Sequence, residues 1–251
     1  MECDSCAREA VTYAAYSGRH LCGEHLCASV EKRVRRRVRA DALLPAAATP
    51  EDPETWVIGL SGGKDSVVLT RILAETFGRD PRVELVALSV HEGIEGYRDE
   101  SLDASRALVD SLAADVRHEV VSYAEEFGVE MDAVSESDPM GMAPCAYCGV
   151  FRRDLLERHA SALGADKLLT GHNLDDEAQT ALMNVLEGDV AQIAKHYDAS
   201  LGPFPGGEGV PRAESEAFVP RAKPLRDVPE KEVALYARHR DLPAHITECP
   251  H

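Results

Sequence analysis

Residues 56–78 read WVIGLSGGKDSVVLTRILAETFG, which is an apolar strand, a glycine-containing loop and an amphipathic helix in direct succession. Glycines in the loop SGGKDS, residues 61–66, let backbone N–H groups approach an anion, and the N-terminus of the following helix favours negative charge. The loop matches neither the GxxxxGK[ST] pattern nor the GxGxxG pattern. The glycines and the helix N-terminus predict a phosphate-binding loop of another type. The simpler interpretation of SGGKDS is a glycine-rich turn capped by Ser61.

The alternation of short apolar strands and amphipathic helices continues beyond this segment. It predicts an α/β fold with a doubly wound parallel sheet, in which ligands bind at the carboxyl ends of the strands. Val90 and His91 end the second strand and are expected to line the same site. Residues 200–217 are rich in Gly, Pro and Glu and predict an exposed loop. Further strands are predicted at 83–90, 118–123 and 166–172, and helices at 67–78, 99–114, 151–164, 174–197 and from 229.

The composition is that of a globular protein with a core of its own. The 251 residues are 44% hydrophobic and 28% charged, with 27 Lys and Arg against 44 Asp and Glu, for a net charge of −17. Arginine outnumbers lysine by 21 to 6, and with the acidic balance this indicates a protein adapted to high salt, from a halophilic source. No apolar run reaches the roughly 18 residues of a membrane span, and the N-terminus lacks an apolar signal core, so we expect a cytoplasmic protein.

Residues 1–28 form a module too small for a hydrophobic core, so a metal is expected to stabilise it. A CxxC pair and a CxxH pair, separated by a hairpin-length spacer, supply three thiolates and an imidazole, a set that tetrahedral zinc prefers. His20 is the alternative imidazole, and Cys27 is left over. The predicted zinc ligands are Cys3, Cys6, Cys22 and His25.

Residues 29–54 form a second segment, a helix over 29–44 followed by a linker that begins at Pro45. Within it, EKRVRRRVRA at 31–40 holds six basic residues and one acidic residue. This stripe predicts contacts with nucleic-acid phosphates in spite of the acidic net charge. The alternative is an amphipathic arginine helix that packs on the domain through its valines and is otherwise solvated.

Residues 55–251 form the third segment, which carries Cys145 and Cys148 in a CxxC pair and Cys249 near the end. Three thiolates without an obvious fourth ligand favour an iron–sulfur cluster with one iron open to an exogenous sulfur. A second zinc site, a redox disulfide and persulfide chemistry are the alternatives. His251 is the candidate fourth ligand of a closed structural site.

The segment TGHNLDDEAQT, residues 170–180, follows a strand and opens a helix, so its acidic pair is expected beside SGGKDS. Carboxylates that face a phosphate site indicate Mg²⁺ binding or substrate activation, and Asp176 is the candidate. N-capping of the helix is the alternative role for Asp176. Arg152 and Arg153 follow the CxxC pair, and one of them is expected to neutralise phosphate.

SGGKDS resembles the PP-loop of the ATP pyrophosphatases, which cleave ATP between its α- and β-phosphates. Together with PCAYCG, TGHNLDDEAQT, KPLRDVPEKEVALYA and ECPH, behind the N-terminal CxxC and CxxH pairs, it closely resembles the TtcA/TtuA-type tRNA 2-thiolation enzymes, in the TtuA and Ncs/CTU-like branch. The resemblance spans nearly the whole chain. It implies that ATP adenylates a uridine O2 and that sulfur then displaces AMP to give 2-thiouridine.

The resemblance also implies roles for the matching residues. Arg152 and Gly171 would contact ATP, Val90 and His91 would lie on the adenine side, and Asp176 would be the catalytic carboxylate. The cysteines implied to hold a [4Fe-4S] cluster are Cys145, Cys148 and Cys249. The residues implied to surround the pyrophosphate are Ser61, Gly62, Gly63, Asp65 and Ser66, with Lys64 as charge partner.

The implied partners are tRNA, a ubiquitin-like sulfur-carrier protein with a C-terminal thiocarboxylate, and a second copy in a homodimer. The modified uridine, at the wobble position or in the T-loop, stays open. Family members usually continue into a second zinc module, whereas this sequence ends at His251, so full tRNA binding is expected to need further residues or to differ in this member. The rival interpretations are a persulfide-based thiolase without iron and a non-catalytic, zinc-containing tRNA-binding subunit.

Overall fold

A five-stranded parallel sheet forms the centre of the protein in a computed structural model that describes residues 1–188, 218–247 and 249–251. A two-stranded antiparallel hairpin lies near the N-terminus. The strands are β1 (Thr12–Ala14), β2 (Arg19–Leu21), β3 (Glu54–Gly59), β4 (Val83–His91), β5 (Arg117–Ser122), β6 (Lys167–Leu169) and β7 (Arg221–Ala222). The helices are α1 (Gly23–Ala40), α2 (Lys64–Phe77), α3 (Tyr97–Ser111), α4 (Tyr123–Phe127), α5 (Met131–Ser137), α6 (Pro144–Ala162), α7 (Leu174–Glu187) and α8 (Glu230–His239).

The sheet is buried on both faces because successive side chains of β3 enter two different hydrophobic cores. Trp56 and Ile58 pack in the core that α1, α2 and α8 share, and Val57 packs in a second core with Ala160 of α6. All four residues are fully buried. A parallel sheet with helices on both faces is a doubly wound α/β fold, so the predicted fold class is confirmed.

The strand order is β5-β4-β3-β6-β7. The chain runs outward from β3 through β4 to β5 and then crosses back to β6, on the other side of β3. Such a reversal opens a crevice outside the carboxyl ends of the strands, where α/β proteins bind ligands. The loops that carry SGGKDS and TGHNLDDEAQT follow β3 and β6, so the topology places them together at this crevice.

The basic helix begins earlier than the sequence pattern predicts. It covers Gly23–Ala40 instead of 29–44, so that His25 lies in its first turn. It ends where Ala42 adopts a left-handed φ of 47°, which interrupts the helical backbone. The predicted boundary at residue 28 falls inside this helix, and the division of the chain into three segments stays a prediction.

The CxxC pair lies inside a helix instead of ahead of one. α6 begins at Pro144, since proline suits the first turn of a helix, where its missing N–H group would have no partner. Cys145 and Cys148 are therefore one helical turn apart, whereas the sequence pattern predicts a helix only from residue 151. This geometry presents the two sulfur atoms from a single rigid element.

The sequence pattern does not predict the short helices α4 and α5, and the other helices differ from prediction mainly at their ends. α3 covers Tyr97–Ser111 where 99–114 was predicted. α7 ends at Glu187, where Gly188 caps it with a left-handed φ of 67°, so the continuous helix predicted over 174–197 is wrong at this residue. Residues 189–197 and the loop predicted over 200–217 lie outside the described residues. Within the part of the chain that the structure describes, no helix combines the length and the apolar character needed to cross a bilayer.

α1 docks on α8 through a buried ion pair. The guanidinium of Arg33 pairs with the carboxylate of Glu232, and both residues are buried. Arg37 binds Asp227, just ahead of α8, with Nη2 2.8 Å from Oδ2. These two arginines of the predicted phosphate-contacting stripe serve helix packing, as the alternative interpretation of the stripe expects. The exposed basic residues of the stripe are Lys32, Arg36 and Arg39.

We expect Glu232→Ala to lower the free energy of unfolding by about 3–5 kcal/mol, because it leaves the Arg33 charge buried without its partner. Urea denaturation followed by circular dichroism measures the change. Lys231→Ala, at the exposed neighbouring position, is the control and should alter stability by less than about 0.5 kcal/mol. Wild-type stability in Glu232→Ala would show that this ion pair does not hold the two helices together.

Candidate nucleotide cleft and cysteine sites

The loop after β3 is closed by its own hydroxyl groups. Ser66 Oγ accepts a hydrogen bond from Ser61 N at 3.1 Å and donates one to Gly63 O at 3.0 Å. Gly62 has a φ of +83°, and a Cβ at this position would overlap the carbonyl oxygen of Ser101 in α3. Glycine is therefore required at residue 62 both for its backbone conformation and for space.

The loop after β6 packs directly on the phosphate loop. A Cβ on Gly171 would lie 2.9 Å from both the carbonyl carbon of Asp65 and the backbone nitrogen of Ser66, so only glycine permits this approach. The buried Asn173 donates from Nδ2 to Asp65 Oδ1 at 3.1 Å. Backbone contact and a side-chain hydrogen bond thus join the two loops across the β3–β6 boundary.

Asp176 lies in the first turn of α7 and takes part in the N-terminal cap of this helix. Asn173 Oδ1 accepts hydrogen bonds from the backbone N–H groups of Asp175 and Asp176, and Asp176 Oδ2 accepts one from Asn173 N at 2.9 Å. This reciprocal pair is a capping box, so the N-capping interpretation applies. Asp176 also lines the cleft described below, and its part in the chemistry stays a proposal.

The ammonium group of Lys64 is held by two carboxylates. Its Nζ lies 3.0 Å from Asp65 Oδ2 and 2.8 Å from Glu230 Oε1. Burial by itself lowers the pKa of Lys64, but the hydrogen bonds to Glu230 and Asp65 outweigh it and raise the pKa. Lys64 is therefore charged at neutral pH, and a phosphate that binds it must compete with both carboxylates.

A cleft of about 290 Å³ lies between the two loops. Gly62, Gly63, Lys64 and His91 are not among the residues that line it. The imidazole of His91 instead faces Asp99, with Nε2 3.3 Å from Oδ1. The predicted site residues that line the cleft are Ser61, Asp65, Ser66, Val90, Arg152, Gly171 and Asp176.

Two buried charged residues that the sequence patterns did not reveal also line the cleft. Arg98 is 3% exposed and donates from Nη1 to Ser61 O at 2.8 Å and from Nε to Val90 O at 2.6 Å. Glu92 is 2% exposed, and its Oε2 lies 2.6 Å from Arg98 Nε. Burial lowers the pKa of Arg98, and the charge of Glu92 only partly opposes this. Its place in the sequence could have indicated Glu92, because this residue directly follows β4 at the sheet edge that carries the phosphate loop.

Thr170 and His172 are further polar residues of the cleft. Thr170 Oγ1 lies 2.8 Å from His172 Nδ1. Burial lowers the pKa of His172, and the positive charges of Lys223 and Arg221 add to this effect. The lowered pKa favours the neutral imidazole at pH 7. Its Nε2 accepts a hydrogen bond in the tautomer in which Nδ1 donates to Thr170, and donates one in the other tautomer.

Cys148 is half-buried, whereas Cys145 is exposed. Arg152 Nη2 lies 3.2 Å from Cys148 Sγ, and the hydroxyl of Tyr123 donates to Cys148 O at 2.9 Å. Burial raises the pKa of the Cys148 thiol, and the positive charge of Arg152 opposes that rise. The Cys148 sulfur therefore has as its neighbour a guanidinium that also lines the cleft.

The segment that leads to Cys249 is anchored on the phosphate loop, because His245 N donates to Gly62 O at 2.9 Å. Cys249 is exposed, and its charge adds to the raised pKa of Cys148, so it lies within electrostatic range of that thiol. His251 pairs its imidazole with Asp132. Among the described residues, Cys145, Cys148 and Cys249 do not form a group of mutually close ligand atoms, and their cluster role stays a proposal.

The N-terminal ligand set does converge. The sulfur atoms of Cys6 and Cys22 are 3.7 Å apart, and His25 Nδ1 lies 3.2 Å from Cys22 Sγ. Tetrahedral zinc with bonds of about 2.3 Å to sulfur places ligand atoms roughly 3.7 Å apart, so the set fits this ion. His20 faces Asp4 instead. The ligand atoms that lie within 4.8 Å of one another belong to Cys3, Cys6, Cys22 and His25.

The buried thiols of Cys3 and Cys27 differ in pKa. The pKa of Cys3 is lowered to about 6, because the backbone N–H groups of Cys22 and Ser5 outweigh the effect of burial. Burial raises the pKa of Cys27 to about 11, and its sulfur lies outside the ligand group. Cys3 is therefore suited to bind metal as a thiolate, and Cys27 packs as an apolar side chain.

The sequence matches the PP-loop domain family over residues 33–243 and the N-terminal LIM domain of the 2-thiouridine synthetase TtuA over residues 2–27. It is 70% identical over 251 residues to the tRNA 2-thiolation protein NcsA of Haloferax volcanii, an alignment that covers all of this chain and 76% of that protein. The chain belongs to the PP-loop family of tRNA 2-thiolation proteins. The resemblance read from the sequence motifs is thereby confirmed.

Other members of this family share less of their sequence. A probable sulfurtransferase of Methanocaldococcus jannaschii is 35% identical, with 98% of this chain and 67% of that protein covered. The cytoplasmic tRNA 2-thiolation protein 1 of Danio rerio is 36% identical, with 99% and 68% covered. The solved structure of the U34-tRNA thiolase NcsA from Methanococcus maripaludis, with its [4Fe-4S] cluster, superposes with a TM-score of 0.78 at 33% identity and covers 100% of this chain and 75% of its own.

We expect Cys22→Ser to lower the zinc content by about one equivalent per chain, since it removes one of four converging ligands. Elemental analysis after gel filtration measures the change. Cys27→Ala is the matched control, because Cys27 is equally buried but outside the ligand group, and it should retain the wild-type zinc. Unchanged zinc in Cys22→Ser would remove this residue from the site.

We expect Gly171→Ala to weaken nucleotide binding at least about tenfold, because its Cβ would displace the backbone at Asp65 and Ser66. Isothermal titration with ATP measures the affinity. Gly149→Ala in α6 is the control, since the nearest atom to a Cβ there is 3.9 Å away. Equal affinities in the two variants would show that the contact between the loops is unnecessary for binding.

Proposed function

We propose that this protein is an ATP-dependent tRNA-uridine 2-sulfurtransferase. It would adenylate the O2 atom of a uridine and then replace that oxygen with sulfur. The observation that carries this proposal is the placement of Cys148 against Arg152, a residue that also lines the cleft between the two loops. A nucleotide site and a thiol that share one arginine suit a reaction that couples activation to sulfur transfer.

The cleft supplies what adenylation needs. A uracil carbonyl oxygen is a poor leaving group, and transfer of AMP to it makes displacement feasible when the reactants are held in position. The phosphate loop at the N-terminus of α2, with Lys64 and Arg152, would neutralise the triphosphate. Carboxylates at the same edge, Asp65 and Asp176, would bind Mg²⁺ or orient the uridine. Asp176 is the proposed catalytic carboxylate.

The sulfur step would use Cys145, Cys148 and Cys249. A [4Fe-4S] cluster held by three thiolates leaves one iron with an open position for an exogenous sulfide. The three thiols fit this donor set, since two of them lie one turn apart on α6 and the third follows a segment anchored on the phosphate loop. The Methanococcus maripaludis relative, which contains a [4Fe-4S] cluster, supports the same assignment.

The proposed substrate position is uridine 34, because the Methanococcus maripaludis relative is a U34-tRNA thiolase. A ubiquitin-like carrier protein is the proposed sulfur source, a homodimer the proposed assembly, and the cytoplasm the proposed location. Zinc is the proposed metal of the N-terminal module, whose four ligands converge at tetrahedral spacing. The proposed contacts to tRNA phosphates are the exposed basic residues of α1, Lys32, Arg36 and Arg39.

Protein purified without oxygen should contain about four iron and four sulfide per chain, together with one zinc. Cys145→Ala should lose the iron and abolish 2-thiouridine formation on tRNA while leaving ATP affinity unchanged, because its sulfur lies outside the cleft. Elemental analysis, nucleoside mass spectrometry and titration with ATP give the three readouts.

Thiolation retained in Cys145→Ala would contradict both an iron–sulfur and a persulfide mechanism. Intact wild-type protein with two zinc and no iron would make the second cysteine set structural or persulfide-based. Loss of ATP binding in Cys145→Ala would show that the cysteine set supports the nucleotide cleft instead of acting in the sulfur step alone.

A further inference from the structure

One buried carboxylate joins the phosphate loop to the second cysteine set. Glu92 is 2% exposed, and each of its oxygens meets a different arginine. Its Oε2 lies 2.6 Å from Arg98 Nε, and its Oε1 lies 2.8 Å from Arg152 Nη2 and 2.9 Å from Arg152 Nε. Glu92 therefore accepts a hydrogen bond from Arg152 and forms an ion pair with Arg98 without a hydrogen bond, so that one carboxylate contacts both guanidinium groups.

Each of the two arginines also contacts a second group, Arg98 in the phosphate loop and Arg152 at Cys148. Arg98 donates to the carbonyl oxygen of Ser61, the first residue of the phosphate loop, at 2.8 Å. Arg152 places Nη2 3.2 Å from Cys148 Sγ. A continuous series of polar contacts thus runs from Ser61 through Arg98, Glu92 and Arg152 to Cys148.

This series brings positive charge to the cleft. Two guanidinium groups and one carboxylate leave the series itself a surplus of one positive charge, and all three side chains line the cleft beside two further carboxylates, Asp65 and Asp176. Opposite charges in a poorly solvated site interact more strongly than they do in water. Arg152 uses Nε and Nη2 for its contacts with Glu92 and Cys148, and a guanidinium has five N–H donors, so donors remain for a phosphate.

We propose that Glu92 is a positioning residue that links nucleotide binding to Cys148. It holds Arg152 between the cleft and the thiol, so that a bound triphosphate immobilises the guanidinium over the sulfur atom. This proposal rests on one part of the proposed function, which is that a nucleotide binds in the cleft. Without Glu92, the Arg152 side chain, which is 45% exposed, is free to turn toward solvent.

The test measures how fast iodoacetamide alkylates each cysteine of the reduced, cluster-free full chain, by peptide mass spectrometry. The nucleotide is α,β-methylene-ATP with Mg²⁺, which cannot be cleaved between the α- and β-phosphates. In the wild type we expect saturating nucleotide to slow labelling of Cys148 at least fivefold. Labelling of Cys145 should change less than twofold, because no residue of the contact series touches its sulfur.

In Glu92→Gln, we expect saturating nucleotide to slow labelling of Cys148 less than twofold. Glu92→Asp is the second variant, because it keeps the charge and the fold while its shorter side chain cannot reach both arginines. It should lose the protection as well. Glu95→Gln, at an exposed position three residues away, is the control and should keep the fivefold protection. Titration calorimetry establishes saturation for each variant.

Fivefold protection that persists in either folded Glu92 variant would overturn the proposal. Equal protection of Cys145 and Cys148 would overturn it too, since the effect would then be general closure of the site. A wild type that binds the nucleotide without protecting Cys148 overturns this link alone. A wild type that does not bind the nucleotide overturns the proposed nucleotide site and this link together.

Discussion

The adjacency of β3 and β6 is the constraint on which the rest of the site depends. Because the two parallel strands are neighbours, their carboxyl-terminal loops meet, and Gly171 packs on the backbone at Asp65 and Ser66. The same contact positions Asn173, which hydrogen-bonds Asp65 and caps α7. A displaced β6 would separate the phosphate loop from the acidic segment, and the cleft between them would not form.

Electrostatics in this protein act at two scales. The net charge of −17 repels polyanions at long range, and salt screens that repulsion within about 10 Å at 0.1 M. At the cleft, Arg98 and Arg152 share the carboxylate of Glu92, which leaves this group of three with one positive charge beside the carboxylates of Asp65 and Asp176. Arg98 and Glu92 are buried, and salt screens buried charges little, so an acidic surface is compatible with the proposed anion site at these residues.

The two cysteine sets differ in a way that matches their proposed roles. The N-terminal ligand atoms converge within 4.8 Å, and α1 connects their site rigidly to the main domain through the Arg33–Glu232 pair. The second set has two exposed cysteines and one beside the cleft. A closed ligand group suits a structural metal, whereas accessible thiols suit sulfur transfer.

The sequence by itself determined the features that depend on short-range spacing: the strand–loop–helix unit, the doubly wound fold and the N-terminal set of three cysteines and one histidine whose ligand atoms converge. Tertiary structure decided the features that join distant residues. Arg33 serves packing because Glu232, 199 positions away, neutralises it, and Arg152 meets Glu92 across 60 positions. At the end of β4, Glu92 lines the cleft and His91 does not, since adjacent residues point to opposite sides of a strand. A local sequence pattern shows hydrophobicity and spacing. The role of a buried charged residue depends on its partner, and only folding brings the two residues into contact.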